Sequence, residues 1–198
     1  MKLTTSSVTA LLAAFRSSEP TPGGGSAAAL AGAVGASLFA MVAGLPNPRA
    51  ASDDEQRQLA VAGERCTALA RQLESLIDQD SAAYDLVVSA FRLRKGTDGE
   101  KAARSAAIQE AMKAATEAPL EVMRRCAETL ALGPLVLALG NPNASTDGQV
   151  GSELLAAALR GAEQNVEVNL GSLKDAAYVQ RVRADVQALA AKAPVKAG

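Results

Sequence analysis

The chain has 198 residues, of which 48% are hydrophobic and 3% aromatic; this is enough apolar material for a substantial core and excludes a disordered chain. Lys and Arg total 20 against 21 Asp and Glu, which excludes the basic footprint of a nucleic-acid binder. Histidine is absent, which excludes Ser-His and Cys-His dyads and histidine metal ligands, and two cysteines are too few for a thiolate metal cage.

In chain order, the start Met1-Lys2-Leu3-Thr4-Thr5 lacks a basic region followed by an apolar segment, and a cytoplasmic protein is expected. Residues 6 to 16 place Val8, Leu11, Leu12 and Phe15 on one helical face. Ser17 to Pro22 breaks that helix. Next comes "PTPGGGSAAALAGAVGASL", residues 20 to 38, with three glycines opening a run of small side chains. A second helix is expected from these glycines to about Gly44, ended by Pro46 and Pro48. It is about long enough to cross a bilayer, but Leu30, Val34, Leu38, Phe39 and Val42 are its only strong membrane-formers, so a buried helix and no membrane partner are expected. Gly23, Gly24 and Gly25 would let a ligand approach the backbone, where a helix start offers unpaired N–H groups to an anion. A flexible turn followed by Ala/Gly packing is the structural alternative. The run is neither a Walker loop nor a dinucleotide fingerprint, because Gly-Lys-Ser/Thr and a preceding strand are both missing.

A long helix is expected from Asp53 to about Phe91. Its stripe Leu69, Leu73, Leu76, Asp80, Ala83, Val87, Ala90 steps by four and three, so Asp80 shares a face with apolar residues. Asp78 turns away from that face by roughly 200°. A carboxylate in such a place needs a partner or a wet edge, or it lines a pocket as a functional acid with a raised pKa. Arg92 to Gly99 reads as a loop and Glu100 to Ala118 as a helix. Pro119 then stands in the first turn of another helix, which reaches Leu132 before Gly133-Pro134. Leu135 to Leu139 is a short apolar piece before the loop "GNPNASTDG".

Thr146 or Asp147 is expected to cap the next helix, which extends to about Leu170. Asn141, Asn143, Ser145 and Asp147 have the chemistry of turns and caps. On the stripe Leu155, Ala158, Ala162, Asn165, Asn169, Leu173, two asparagines four residues apart face one way, either for interhelix hydrogen bonds or to contact a polar heterocycle. The last helix is Asp175 to Lys192, with a frayed tail at 193–198. Cys66 and Cys126 lie in apolar helical patterns and are expected to be reduced core residues. Strand alternation is absent, and the expected fold is all-α, one domain over residues 1–198, with seven to eight helices.

Five segments in order resemble the cyclodeaminase domain of formiminotransferase-cyclodeaminase: "PTPGGGSAAALAGAVGASLFAMVAGL", "IDQDSAAYDLVVSAFRLRK", "APLEVMRRC", "GNPNASTDGQV" and "GAEQNVEVNL". They cover residues 7 to about 175. Free-standing members of about this length include bacterial methenyltetrahydrofolate cyclohydrolases. The chain departs from the family pattern at Leu45-Pro46-Asn47-Pro48-Arg49, at Leu93-Arg94-Lys95 and at Asp147-Gly148-Gln149-Val150.

The resemblance implies a homodimer with folate near the subunit interface and an active-site aspartate at Asp80. The implied reaction is hydrolysis of methenyltetrahydrofolate to formyltetrahydrofolate. The alternatives are formiminotetrahydrofolate cyclodeamination, a non-catalytic folate-binding paralogue and a structural dimerisation module. Arg49, Arg94 and Lys95 become candidates for the glutamate tail of the substrate, and Asn165 and Asn169 for the pterin edge. Gly23, Gly24, Gly25, Ser26, Asn141, Asn143 and Asp147 complete the substrate contacts. The implied scheme has the folate as substrate, no separate cofactor and no metal.

Overall fold

The small-sided run becomes the axis of the fold. In a computed structural model that describes residues 2–47 and 52–192, Gly24–Gly44 is a helix with three others packed along it. The order is a 3-10 turn at Leu3–Thr5, α1 (Val8–Phe15), α2 (Gly24–Gly44), α3 (Asp53–Phe91), α4 (Asp98–Leu139), a 3-10 turn at Pro142–Ala144, α5 (Ser145–Leu170) and α6 (Ala176–Ala190). The described residues contain no strand, so the all-α expectation holds.

Small side chains on α2 set its distance from its neighbours. A Cβ at Gly35 would lie 2.7 Å from the Gly151 carbonyl oxygen, so α2 and α5 approach backbone to backbone there. Gly32 faces Leu73 of α3 and Cys126 of α4, and Gly24 faces Asn165 of α5. With Gly63 of α3 against Ala43 and Gly133 of α4 against Phe39, these pairings make α3 and α5 antiparallel to α2, and α4 parallel to it. Phe39, Leu69, Leu73, Leu120, Met123, Leu155, Leu159 and Leu170 fill the core. Cys66 and Cys126 are buried and unbridged, as expected. By length and composition α2 could cross a membrane, but half of its apolar window is buried inside the fold.

The described residues form six α-helices, fewer than the expected seven to eight, because residues 98–139 are one helix of 42 residues and not two helices and a short piece. Pro119 lies inside it and has no N–H for the carbonyl of Ala115, four residues earlier. The Asn169 amide of α5 donates to that carbonyl at 2.8 Å and replaces the missing bond. Gly133 does not end the helix either: it lies under the Phe39 ring, whose atoms would be 3.2 Å from a Cβ at that position. The helix begins at Asp98, where Thr97 and Glu100 form a capping box. At its other end Asn47 donates to the Leu139 and Gly140 carbonyls.

Thr146 and Asp147 do not cap α5. The helix starts at Ser145 behind the Pro142–Ala144 turn, and Asp147 lies in its first turn, where the positive end of the helix dipole favours a negative charge. Asp175 does cap α6, accepting from the Tyr178 N–H. Pro48 and the tail at 193–198 lie outside the described residues.

Candidate active site

The stripe on α3 is buried at Leu69, Leu73, Leu76, Val87 and Ala90, and Asp80 is half-buried on the same face. What Asp80 faces is the first turn of α2. Gly23 is the N-cap residue, with extended backbone, and Gly24 and Gly25 are the first two helical positions. A Cβ at Gly25 would lie 2.5 Å from the Asp80 Cγ and 2.8 Å from its Oδ2. The glycine run thus accommodates the chain's own carboxylate. The described glycines all have negative φ, so the requirement here is space and not backbone conformation.

At the third helical position the Ser26 side chain is fully buried. Its Oγ is 2.9 Å from Asp80 Oδ2, 2.9 Å from the Ile77 carbonyl oxygen and 3.1 Å from Ser81 Oγ. The Ser26 backbone N–H also pulls the Asp80 carboxyl toward its ionised form. A carboxylate at a helix N-terminus accepts orphan N–H groups and is favoured by the dipole. Burial works the other way and is the larger effect: it pushes the Asp80 carboxyl above its ordinary value, against the lowering pull of the Ser26 hydroxyl and backbone N–H. The result is a carboxylate that is more basic than usual and held in a fixed orientation.

Asp78 has a different task. It accepts from the Leu3 N–H at 2.5 Å and from the Thr4 hydroxyl at 2.6 Å, which ties the N-terminal turn to α3. Its position off the stripe matches this structural use.

The third wall comes from α5. Asn165 is half-buried, and a Cβ at Gly24 would lie 3.3 Å from its Nδ2. Nδ2 donates to the Gly161 carbonyl at 2.8 Å. Gly24 is exposed, while Asp80 and Asn165 on either side of the α2 start are half-buried. Gly23, Gly24, Gly25, Ser26, Asp80 and Asn165 therefore converge. Asn169, one turn further along α5, is committed to the Ala115 carbonyl. The Ser26 hydroxyl is turned into the protein toward Asp80 rather than out to solvent. Ser81 has no periodic signal in the sequence, because it lies one residue off the stripe; only its contact with Ser26 brings it into the site.

The remaining candidates lie elsewhere in the chain. Arg94 and Lys95 are exposed in the turn between α3 and α4. From Asp80 to the end of α3 at Phe91 is about 16 Å at ~1.5 Å per residue. Asn141, Asn143 and Asp147 are at the far end of α2, roughly 30 Å from its glycines. There Asn141 donates to the Pro46 carbonyl at 2.7 Å and accepts from the Asn143 N–H. Arg49 lies outside the described residues. A large groove, about 720 Å³, is lined by Val8, Leu30, Val34, Met41, Ala70 and Ile77 among others, and Asp80 is not part of its wall.

Fold and site together define an all-helical protein whose central helix begins on the carboxylate of an aspartate. The chain belongs to the formiminotransferase-cyclodeaminase family, whose profile matches residues 7–188. A methenyltetrahydrofolate cyclohydrolase from Methylorubrum extorquens is 41% identical over 177 residues, covering 89% of this chain and 85% of that protein. The formimidoyltransferase-cyclodeaminase of Rattus norvegicus is 32% identical over 180 residues, which is 89% of this chain but 32% of that longer protein. The crystal structure of a formiminotetrahydrofolate cyclodeaminase from Thermotoga maritima has the same fold, with a TM-score of 0.85 at 22% identity over 96% of this chain and 91% of that one.

Proposed function

We infer that the protein hydrolyses 5,10-methenyltetrahydrofolate to formyltetrahydrofolate. The observation that carries this is Asp80, a carboxylate held at the α2 N-terminus with its proton affinity raised by burial. The cyclohydrolase from Methylorubrum extorquens, similar over most of both chains, supplies the substrate class. The methenyl substrate is an amidinium-like cation. Water adds to its bridging carbon as Asp80 takes a proton from that water. The carbinolamine then opens: one ring C–N bond breaks, its electron pair goes to the nitrogen, and Asp80 returns the proton to that nitrogen. The carbinol O–H proton is released to solvent as the formyl C=O forms, so the cation and water give neutral formyltetrahydrofolate and one proton. The carboxylate also stabilises the cation before attack. Asn165, beside Gly24, would read the pterin edge. Arg94, Lys95 and Arg49 remain the candidates for the glutamate tail; Asn141, Asn143 and Asp147, roughly 30 Å from Gly24 at the other end of α2, would reach a folate at Asp80 only from the second copy of a homodimer. The folate is the substrate, and the scheme adds no separate cofactor.

A homodimer belongs to the same reading. It is supported by exposed apolar side chains along the large groove, with Val34 44% and Met41 41% exposed on α2 and Val8 74% exposed on α1. A cytoplasmic setting suits two unbridged buried thiols. The test is the decay of methenyltetrahydrofolate absorbance under conditions where the uncatalysed reaction is slow. Acceleration that disappears in Asp80→Asn supports the reading, and no acceleration by the wild type sinks it.

The second reading is cyclodeamination of formiminotetrahydrofolate, favoured by the relatives that carry that activity in their names. There the raised Asp80 carboxyl would protonate the leaving amine as the ring closes. Ammonia release from formiminotetrahydrofolate distinguishes the two.

A further inference from the structure

Ser26 is buried in a turn that is otherwise glycine and alanine, and a hydroxyl there costs free energy unless it is hydrogen-bonded. It has more partners than it can serve at once. A hydroxyl carries one proton and accepts in two directions. Ser26 Oγ has two acceptors at 2.9 Å, Asp80 Oδ2 and the Ile77 carbonyl oxygen, and a second hydroxyl, that of Ser81, at 3.1 Å. Its proton must choose between Asp80 and Ile77.

The choice follows the state of Asp80. With the carboxylate ionised, the Ser26 O–H donates to Oδ2 and the Ser81 O–H donates to Ser26 Oγ. With the carboxyl protonated, the Asp80 O–H donates to Ser26 Oγ, and the Ser26 proton turns to the Ile77 carbonyl. Each group is satisfied in both states, and no heavy atom moves. A fixed donor such as a backbone N–H could serve the ionised state alone.

We propose that Ser26 is a positioning residue whose rotating hydroxyl keeps Asp80 in one orientation while the aspartate gains and loses its proton. This rests on the reading of Asp80 as the acid and base of the reaction. It also changes the place of Ser26, from a contact of the substrate to a partner of the carboxylate. Charged neighbours offer no competing account of Asp80. α2 contains no ionisable side chain, Asp78 on α3 is held by Leu3 and Thr4, and α5 presents the uncharged Asn165 amide beside the glycines.

The test uses Ser26→Ala and Ser26→Cys, the second of which keeps the shape with a weak donor. Two measurements are made on the full chain: the pH profile of kcat and KM, and the titration of Asp80 followed by carboxyl-carbon NMR. Loss of the hydroxyl should lower kcat by about tenfold or more, the scale of one hydrogen bond to a charged group, and leave KM nearly unchanged. The hydroxyl lowers the Asp80 pKa, so its loss should move the NMR titration and the acid limb of kcat to higher pH. A serine that only fills space, without serving the carboxyl, would move neither. Ser81→Ala should shift the titration in the same direction by less. If either Ser26 variant folds and keeps the wild-type titration and kcat profile, the proposal is overturned. If the wild type has no folate turnover but the Asp80 titration still shifts in the variants, the hydroxyl role stands and the folate reading falls.

Discussion

The carboxylate of Asp80 occupies the volume that a side chain at Gly25 would need. A Cβ there would meet the Asp80 Cγ at 2.5 Å and Oδ2 at 2.8 Å. The blocked group is the end of a side chain, so Gly25→Ala can be accommodated if Asp80 swings away and loses its bonds to Ser26. The stability cost should be modest, about 1–3 kcal/mol for overpacking. The catalytic cost should be larger, on the order of 100-fold in turnover, because the acid is displaced by about an ångström. Parallel melting curves and initial rates check this; an alanine variant with wild-type turnover contradicts the geometry.

Asp80→Asn keeps the shape and removes the proton acceptor. Turnover should fall by roughly 100- to 10,000-fold while the helical circular dichroism is unchanged.

The same variant reports a linkage. Folding raises the Asp80 pKa, so the native state holds the proton more tightly than the unfolded chain does. Its stabilising contribution is complete below the unfolded-state pKa and is lost as pH rises through the folded-state value. The Tm of Asp80→Asn minus that of the wild type should therefore increase from acid toward neutral pH and then level off. A flat or falling difference across that range rules the sign out.

Asn169 and Pro119 act as a pair, since the asparagine amide bonds the Ala115 carbonyl that the proline leaves without its helical partner. Asn169→Ala should cost about 1 kcal/mol, the scale of one net hydrogen bond, because the Ala115 carbonyl it leaves is only half-buried. In a Pro119→Ala background the helix supplies its own N–H to that carbonyl, and the same substitution should cost clearly less. A double-mutant cycle from urea melts measures this coupling, and additive effects would refute it.

Burial pushes the Cys66 thiol up to about 11 and the Cys126 thiol up to about 12. Neither is a thiolate at pH 8, and both are fully buried. A disulfide exchange reagent should leave the native protein unlabelled and label two thiols in guanidinium. Rapid labelling of the native chain would contradict the packing.

Much of the site is legible in the residues of α3 alone. A carboxylate in a stripe of Leu, Ala and Val is a local anomaly, and helical periodicity puts Asp80 on the covered face and Asp78 off it. The glycine run is also visible, but the identity of its close neighbour is not. Three glycines before a helix state that something approaches the backbone, and the periodicity of a distant helix does not say that Asp80 is what approaches. The two asparagines on α5 look equivalent in sequence. They part company only because Asn165 faces Gly24 and Asn169 faces the carbonyl left by Pro119.

Composition and pattern by themselves determined an all-helical fold, the apolar faces, the reduced cysteines and the aspartate that does not fit its stripe. These follow from short-range physics: side-chain size, helical period, and the cost of a charge among apolar neighbours. The tertiary structure decided the rest. It showed that residues 98–139 are one helix, because a hydrogen bond from α5 carries the chain past a proline that sequence rules treat as a boundary. It also showed that Ser26 meets Asp80, Ser81 and the Ile77 carbonyl together, an arrangement set by how α2 crosses α3. Contacts between residues more than fifty positions apart have no local sequence period, so helix packing alone brings them together.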